Sequence, residues 1–423
     1  MSSLNLLLDP VESPGVLAAK LWVSGGSSAD PSDQRGVHHL LGSLLSRGCG
    51  PFNHIELADL VEGCGAGLRC DTHEDGTLIS LKCLEQDADQ LLPLIAWLLV
   101  DPHLSQNQVQ LEKGLTLQAL QRQREDPFHL AFDGWRQLAY GNGPYGHDPL
   151  GISHELETIG SAQLQQQAIN LRLSNPILAL AGSFPDNIEE QLLEMEPFQA
   201  LCHYTKDGNV KSFHGTDRPT VSNENQPTIR LTAENTSQVV IMVGQPSLNH
   251  AHKDDLSLRL LQFHFGYGMS SLLFKRLREE HGVAYDVGVH HPARCLASPF
   301  VFHASTSEEK AEISLKLLLE SWQDMSKVKL SSEEMALAKA KFRGSLAHST
   351  QTTGQRAERR AQLRALGLAD DQDLRDLEAI DSLKSQDLQQ AACTHLNSPL
   401  LSLCGPQKTI ESLGHLWGTE FLP

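Results

Sequence analysis

Two adjacent histidines, His38 and His39, lie near the start of GVHHLLGSLLSRG, an apolar stretch that begins at Gly36. Its spacing predicts a buried helix, and imidazole side chains on such a helix could bind a metal or carry a proton. Gly42 and Ser43 interrupt the apolar pattern, and a glycine inside a helix costs about 1 kcal/mol of helix stability relative to alanine. From the residues alone, we expect His39 to be a partly buried, hydrogen-bonded histidine and His38 to have no separate role.

A second candidate pair, Arg278 and Tyr285, lies in the stretch GYGMSSLLFKRLREEHGVAYDVGV. Its pattern predicts a helix that starts after glycines, ends at Gly282 and leads into a strand. Guanidinium and phenol groups both donate hydrogen bonds, so the pair could hold a carbonyl oxygen. The spacing also fits a structural arrangement, in which Arg278 pairs with Glu279 and Tyr285 packs on a sheet. The small and apolar residues of the stretch are expected in the core or at the helix start: Met269, Ser270, Leu273, Phe274 and Leu277.

A third candidate, the histidine pair His290 and His291, falls on a predicted strand. Adjacent strand residues point to opposite faces of a sheet, so this pair cannot readily bind one metal ion. The chain has no G-x-S-x-G nucleophile motif, no G-x-x-x-x-G-K phosphate loop and no dinucleotide-binding fingerprint after a strand. The sequence therefore gives no support to serine hydrolase, phosphate-loop or dehydrogenase chemistry.

The elements that would position these residues occur twice along the chain. NPILALAG, which ends at Gly182, recurs as SPLLSLCG, which ends at Gly405. The first strand of each copy is also apolar, VLAAKLWVSGG in one and VVIMVGQPS in the other. We interpret the chain as two copies of one α+β domain, each a mostly antiparallel sheet packed with helices. Two further landmarks recur at nearly the same separation. LSQNQVQLEK, from Leu104, recurs as LSSEEMALAK, from Leu330, and Trp97 before the first is matched by Trp322 before the second.

A polar, turn-rich segment separates the two copies, from about Tyr204 to Gln238. We therefore expect an N-terminal domain at 1–203, a linker at 204–238 with room for one short strand, and a C-terminal domain at 239–423. Each domain then has about 200 residues, enough to bury a core of its own.

The composition is that of an ordinary soluble globular protein, with 423 residues of which 40% are hydrophobic and 20% are charged. A net charge of -18 argues against a nucleic acid partner, because phosphate binding needs a basic face. The apolar run LLPLIAWLLV is too short to span a membrane, and the N-terminus lacks the signal-peptide pattern. Eight cysteines without a C-x-x-C pair fit a reducing compartment, so we expect a cytoplasmic protein with no membrane partner.

The order of elements, the duplication and the helix after Gly36 resemble the insulinase/pitrilysin zinc metallopeptidases, in the shorter two-domain form that includes mitochondrial processing peptidase. Active members carry H-x-x-E-H on this helix, which implies two zinc-binding histidines, a catalytic glutamate and a third ligand about 76 residues further on. On this chain His39 matches the first histidine, Gly42 the glutamate and Ser43 the second histidine, while the third ligand falls on Ala119. The resemblance implies a degenerate zinc site and no metal or other cofactor in this chain.

The family's second motif, Gly-x-x-Ser-x-Leu-Phe-x-x-x-Arg-x-x-x-Gly-Leu-x-Tyr, is kept. The resemblance implies that Arg278 and Tyr285 hydrogen-bond the substrate near the scissile bond, as oxyanion stabilisers beside a zinc site. A second glutamate of the family's later helix is matched by Glu112, which alone would bind no metal. In two-domain members, one subunit holds the metal and its partner presents the arginine and tyrosine. The resemblance therefore implies the non-catalytic subunit of a heterodimeric zinc peptidase, with zinc in a homologous partner subunit and extended or unfolded peptides as substrates.

Two other functions stay open at the level of the sequence. Some members of the family have lost catalysis and serve as structural cores of larger assemblies, so the chain could be an inert scaffold. It could also be a homodimer that holds peptides without cutting them. An arginine–tyrosine pair in register has no purpose in a scaffold, which favours the peptidase partner.

Overall fold

In the computed structural model of the chain, residues 4–12, 14–207, 228–327 and 329–420 are described, and all structural statements refer to them. The chain forms two compact units. The first takes its described residues from Met1–Leu120, His147–Phe213 and Ala347–Asp370, and the second from Gln121–Gly146, His214–Leu346 and Asp371–Pro423. The predicted halves, 1–203 and 239–423, supply most of each unit. One segment of each half belongs to the other unit: Gln121–Gly146 to the second and Ala347–Asp370 to the first.

The strands lie where apolar runs bounded by glycine, proline and polar residues predict them. The described residues form twelve: β1 (Asn5–Pro10), β2 (Val16–Ser24), β3 (Gly48–Cys49), β4 (Phe52–Asn53), β5 (Gly67–Thr72), β6 (Gly76–Leu84), β7 (Ile177–Gly182), β8 (Ile229–Ala233), β9 (Gln238–Pro246), β10 (Asp286–His290), β11 (Pro299–Ser307) and β12 (Leu400–Gly405).

The helices fill most of the intervals between the strands, and a π-helix, Phe274–Glu280, precedes β10. The described residues form sixteen α-helices: α1 (Val37–Leu45), α2 (His54–Gly63), α3 (Ala88–Val100), α4 (Gln106–Gln123), α5 (Pro127–Tyr140), α6 (Ser153–Thr158), α7 (Ser161–Arg172), α8 (Ile188–Glu194), α9 (Glu196–Asp207), α10 (Asp255–Gly266), α11 (Ala311–Lys327), α12 (Ser332–His348), α13 (Thr353–Ala365), α14 (Gln372–Ser382), α15 (Ser385–His395) and α16 (Gln407–Glu420).

The first unit is built on a five-stranded sheet with the strand order β1-β7-β2-β6-β5. β1 runs parallel to β7, and the other neighbouring strands are antiparallel. All six residues of β7, the predicted strand ILALAG, are buried, as expected of an inner strand covered on both faces.

The sheet of the second unit has the order β8-β12-β9-β11-β10. Here β8 runs parallel to β12, and the other neighbouring strands are antiparallel. Each strand holds the place of its sequence counterpart in the first sheet, with β12 matching β7 and β9 matching β2. The two sheets confirm the predicted α+β class and the internal duplication.

Each sheet of a unit is covered by helices on both faces. In the first unit, α1, α3 and α7 bury their leucines on one face, while Ala357 and Ala361 of α13 pack beside Trp22 on the other. The ammonium of Lys20 in β2 reaches a carboxylate oxygen of Glu358 in α13 at 2.8 Å. Helix α13 therefore belongs to the first unit by both apolar packing and an ion pair.

In the second unit, α10, α11 and α15 cover one face of the sheet and α5 covers the other. Trp135 of α5 is fully buried, and its indole N–H donates to the carbonyl oxygen of Gly244 in β9 at 3.1 Å. Helix α5 precedes the predicted linker in sequence and yet forms part of the second unit.

Part of the predicted linker, 204–238, falls on residues 208–227, which lie outside the described residues. Its short strand is β8, which pairs with β12 at the edge of the second sheet. Among the described residues, no helix is long and apolar enough to cross a lipid bilayer.

Candidate functional site

The helix with the degenerate zinc motif, α1, is held at its start by a carboxylate from outside the helix. The N-cap residue, Gly36, has no side chain to cap it, and Asp30 takes that role. Oxygens of Asp30 accept the backbone N–H of Gly36 at 2.6 Å and that of His38 at 3.1 Å. These bonds satisfy amide groups that a helix start leaves without partners.

Two histidines complete the surroundings of Asp30. The Nδ1 atom of His38 lies 2.7 Å from one carboxylate oxygen, and the Nε2 atom of His147 lies 3.0 Å from the other. The Asp30 side chain is 0% exposed and that of His38 is 3% exposed. The expectation that His38 has no role is therefore wrong, because its ring is a partner of a buried charge.

The pKa of Asp30 shows how strongly this carboxylate is bound. Burial alone would raise the pKa, but the hydrogen bonds from His147 and His38 outweigh burial and hold the pKa below its ordinary value of 3.8. Asp30 is therefore a carboxylate at neutral pH, and its histidine partners point their N–H groups toward it. The cluster Asp30, His38 and His147 fixes the start of α1 and is already saturated with its own hydrogen bonds.

Three of the four positions that match the metal machinery carry no group that could bind zinc. Gly42 and Ala119 have no donor atom, and the hydroxyl of Ser43 donates back to the carbonyl oxygen of His39 at 3.1 Å. His39 remains, half-buried, and burial lowers its pKa against the opposing effect of nearby carboxylates. A single neutral imidazole does not make a zinc site, which needs three or four protein ligands, so the residues present do not fit the metal.

Glu112 in α4, which matches a second glutamate of the family pattern, is paired with an arginine. The Nε atom of Arg47 donates to a carboxylate oxygen of Glu112 at 2.7 Å, and the Glu112 side chain is 8% exposed. Arg47 follows the end of α1, one helical turn beyond Ser43. The countercharge of this buried carboxylate is therefore a guanidinium of the same chain.

Position 42, which matches the family's catalytic glutamate, also has no room for a side chain. A Cβ atom at position 42 would lie 2.2 Å from the Oγ1 atom of Thr72, the last residue of β5. That hydroxyl donates to the carbonyl oxygen of His38 at 3.1 Å. Gly42 thus allows the edge strand β5 to approach α1, which explains the glycine that the helix sequence left unexplained.

This close approach predicts that the effect of Gly42→Ala changes sign with the residue at position 72. In the wild-type chain the substitution should lower the free energy of unfolding by about 1–3 kcal/mol, because the new methyl group overlaps Thr72. In a Thr72→Ala background, Gly42→Ala should raise the free energy of unfolding by up to about 1 kcal/mol, the ordinary gain of alanine over glycine in a helix.

Urea denaturation of the four chains measures both effects. Gly114→Ala in α4 is the matched control, since no atom lies within 4 Å of a Cβ there, and it should stabilise the chain in either background. Destabilisation by Gly42→Ala that persists without the Thr72 side chain would show that the close approach is not the reason for the glycine.

The second predicted pair, Arg278 and Tyr285, is brought together in the second unit. A nitrogen of the Arg278 guanidinium donates to the backbone carbonyl oxygen of Tyr285 at 3.1 Å, and its carbon lies 5.1 Å from the centre of the Phe274 ring. Arg278 is exposed and lies on the π-helix, a widened turn that is frequent at functional sites. The segment ends as predicted, with Gly282 at φ 61°, a conformation that glycine adopts without strain.

The Tyr285 side chain is partly engaged by its own sheet. Its hydroxyl donates to the carbonyl oxygen of Thr306 in β11 at 3.2 Å, while 53% of the residue stays exposed. The structural arrangement considered from the sequence paired Arg278 with Glu279 and packed Tyr285 on a sheet. Among the described residues, Tyr285 contacts its sheet as in that arrangement, whereas Arg278 bonds to Tyr285 rather than to Glu279. Both residues are therefore exposed, and the guanidinium is bonded to the backbone of the tyrosine.

Exposed apolar side chains accompany the pair. Met269 is 75% exposed and Tyr267 is 48% exposed, whereas Leu273 and Leu277 are fully buried. The two leucines are core residues, as predicted, whereas Met269 lies outside the core, in the turn that precedes the helix. The glycines on both sides of Tyr267 indicate a turn, and Gly268 adopts φ 77° immediately before Met269.

The histidines at positions 290 and 291 have separate partners, as expected. The His290 ring meets the Phe132 ring edge to face at 5.1 Å, and burial lowers the pKa of His290 to about 3. The Nε2 atom of His291 lies 3.5 Å from a carboxylate oxygen of Asp255. Neither is a candidate for the site.

The chain matches two family models along most of its length. Residues 13–151 match the model described as insulinase, peptidase family M16, and residues 171–342 match the model described as the peptidase M16 inactive domain. The chain belongs to the M16 peptidase family. Its first half carries the family's zinc-site helix without the metal-binding side chains, and its second half matches the domain that the family description calls inactive.

Two M16 relatives illustrate the range of descriptions in the family. An uncharacterized zinc protease of Rickettsia felis is 24% identical over 343 residues, which cover 81% of this chain and 80% of that protein. A non-peptidase homolog, YmxG, of Helicobacter pylori is 24% identical over 265 residues, 62% of this chain and 59% of that protein.

A solved structure supports the M16 fold independently of the sequence motifs. The crystal structure of a peptidase M16 inactive domain from Pseudomonas fluorescens matches with a TM-score of 0.87 and 21% identity, covering 96% of each chain. At this identity the match establishes the fold, and the function must be argued from the residues.

Proposed function

We propose that this M16 chain is the non-catalytic subunit of a heterodimeric zinc metallopeptidase, which supplies Arg278 and Tyr285 to the zinc site of a homologous partner. The observation that carries the proposal is the exposed arginine on a π-helix beside an exposed tyrosine, in a chain that keeps only His39 of its own zinc-site residues. Zinc is then the partner's cofactor, and this chain holds none in the degenerate site.

The pair suits the charge that develops during peptide hydrolysis. When a zinc-bound hydroxide attacks a peptide carbonyl, the oxygen becomes an oxyanion, and a guanidinium within hydrogen-bond reach stabilises it more than the neutral carbonyl. In this conformation Arg278 donates one bond to Tyr285, which orients the guanidinium, and its other N–H groups can face a substrate. The Tyr285 ring would contact the peptide beside it.

Two further features suit an extended peptide substrate. Met269, Tyr267 and Tyr285 are large apolar residues exposed along the same segment as Arg278, and methionine adapts to varied side chains. Among the described strands of the first unit, β5 is an edge strand paired with β6 alone, and none of its six residues is buried. An edge of this kind can pair with the backbone of an unfolded chain.

One observation favours the alternative of an inert scaffold. The Tyr285 hydroxyl and the Arg278 guanidinium already bond to backbone carbonyl oxygens of their own unit, which is what a structural pair would do. Against a scaffold stands the exposure of both residues in the register of the family's substrate-binding motif.

We also propose, from the sequence, that the protein is cytoplasmic.

Affinity capture of the tagged chain from its host under mild conditions tests the proposal. Mass spectrometry identifies the bound chains, and the eluate is assayed for zinc and for hydrolysis of unfolded peptides. We expect a chain of similar size with an intact His-x-x-Glu-His motif, and hydrolysis only when both chains are present. Capture of a large assembly without peptidase activity would support the scaffold. Elution of the chain alone, without metal or activity, would contradict the shared active site and leave a binding or scaffold protein.

A further inference from the structure

A second group of metal-binding residue types lies in the second unit, away from the degenerate motif in the first. His252 and Asp254 come from the turn before α10, and His395 is the last residue of α15. Each of the three offers one ligand atom, and these atoms all lie within 4.8 Å of one another. We call these three residues the His252 cluster.

The Asp254 carboxylate is directed at the two imidazoles rather than at its own helix. Asp254 is the N-cap residue of α10, a position at which an aspartate commonly caps the helix, and yet its side chain makes no capping hydrogen bond. Instead its Oδ2 atom lies 3.0 Å from Nε2 of His395 and 3.9 Å from Nδ1 of His252. The carboxylate therefore forgoes a favourable local contact to face two histidines.

Both histidine rings are held in place. The two rings meet edge to face with their centres 5.4 Å apart. The Nδ1 atom of His252 accepts the backbone N–H of Asp254 at 3.1 Å, so this nitrogen carries no proton, and an ion bound to it would replace this hydrogen bond. The backbone of His395 is fixed by Gln245, whose side-chain amide donates to its carbonyl oxygen at 2.8 Å.

We propose that the His252 cluster binds one divalent transition-metal ion, with zinc the best fit. In a tetrahedral zinc site with bonds of about 2.0–2.2 Å, ligand atoms lie roughly 3.3 Å apart. Here the Asp254 oxygen lies 3.0 and 3.9 Å from the two imidazole nitrogens, and all three atoms lie within 4.8 Å of one another, so small side-chain rotations would bring them onto one ion. Two imidazoles and one carboxylate suit zinc, copper or nickel, whereas magnesium and calcium prefer oxygen ligands. Three protein ligands leave a fourth position for water or a further ligand.

The accessibility and placement of the cluster suit a reversible metal site. The side chains of His252 and Asp254 are 36% and 37% exposed, and that of His395 is 12% exposed, so an ion can enter without unfolding. An ion would join the start of α10 to the end of α15, two helices that pack together in the core of the second unit. Metal binding should therefore raise the stability of that unit, and it does not depend on the peptidase role proposed above.

Calorimetric titration of the tag-free, metal-stripped protein with zinc chloride tests the proposal. We expect one equivalent to bind, with a rise in the thermal melting temperature. His252→Gln, Asp254→Asn and His395→Gln should each weaken binding by at least about 10-fold, since even outer-shell partners of metal ligands contribute 10–100-fold. His252→Gln is the least disruptive variant, because the residue is partly exposed and lies in a turn.

The control variant is His39→Gln, which removes the surviving histidine of the degenerate motif and should leave the zinc stoichiometry unchanged. A stoichiometry that drops in His39→Gln and persists in the cluster variants would overturn the proposal, as would the absence of saturable binding. Equally tight binding of magnesium would contradict the assignment to an imidazole-preferring ion.

Discussion

Arg278→Ala should lower the kcat of the reconstituted peptidase by about 10²–10³, the usual loss when one donor to a developing oxyanion is removed. The effect should fall mainly on kcat, because the guanidinium is proposed to bind the transition state more tightly than the ground state. The assay uses this chain together with its zinc-bearing partner and measures hydrolysis of an unfolded peptide at saturating concentrations of substrate.

Two variants of the same segment make this result specific. Lys275→Ala removes an exposed cation one turn away on the same π-helix and should leave kcat within about twofold, since a single exposed charge contributes little. Arg278→Lys keeps the charge but loses the planar fork, and should recover only part of the activity. Tyr285→Phe should have a smaller effect than Arg278→Ala, because its hydroxyl is already bonded to Thr306.

A normal kcat for Arg278→Ala in a complex that still assembles would contradict the oxyanion role. An equal loss in Lys275→Ala would point instead to general electrostatics of the segment. Loss of the complex itself would place Arg278 in the subunit interface, and that outcome is recognised by co-purification of the two chains before any kinetic assay.

Asp30→Ala should lower the free energy of unfolding by about 3–5 kcal/mol, the range found when one partner of a buried ionic network is removed. The substitution leaves the rings of His38 and His147 and two amide groups at the start of α1 without their acceptor. Asp33→Ala, three residues away and exposed, is the matched control and should change stability by less than about 0.5 kcal/mol.

The pH dependence of this effect has a defined sign. Because the folded-state pKa of Asp30 lies below its ordinary value of 3.8, the charged carboxylate stabilises the fold above that value, and this contribution disappears as the pH falls through the folded-state pKa. Urea denaturation of wild type and Asp30→Asn should therefore show a stability difference that shrinks as the pH falls below about pH 4. A difference that grows on acidification would contradict an ionised Asp30.

The strands and the duplication could be predicted because they follow from local apolar patterns. ILALAG and LLSLCG each form a fully buried strand, and the two sheets repeat one strand order. The positions of His39, Gly42 and Ser43 on one helix could be predicted for the same reason. Their spacing alone determines which residues share a helical turn.

The partners of the buried groups could not be predicted, because they come from distant parts of the chain. His147 lies 117 residues after Asp30 in sequence and 3.0 Å from it in space. An amphipathic helix shows which of its faces is buried but not which sheet will cover it, so the membership of α5 and α13 in the opposite units had no signal. The His252 cluster was missed because its third member comes from α15.

A site-specific photocross-link shows whether Arg278 and Tyr285 face the zinc helix of a partner subunit. Tyr285 is replaced by p-benzoylphenylalanine, the complex is irradiated, and the linked peptides are identified by mass spectrometry. Leu374, an exposed residue of α14, serves as the control position. We predict links from position 285 to the partner peptide that contains His-x-x-Glu-His, and none to it from position 374. Links from position 285 that reach only other surfaces, in a complex that hydrolyses peptides, would contradict the shared active site.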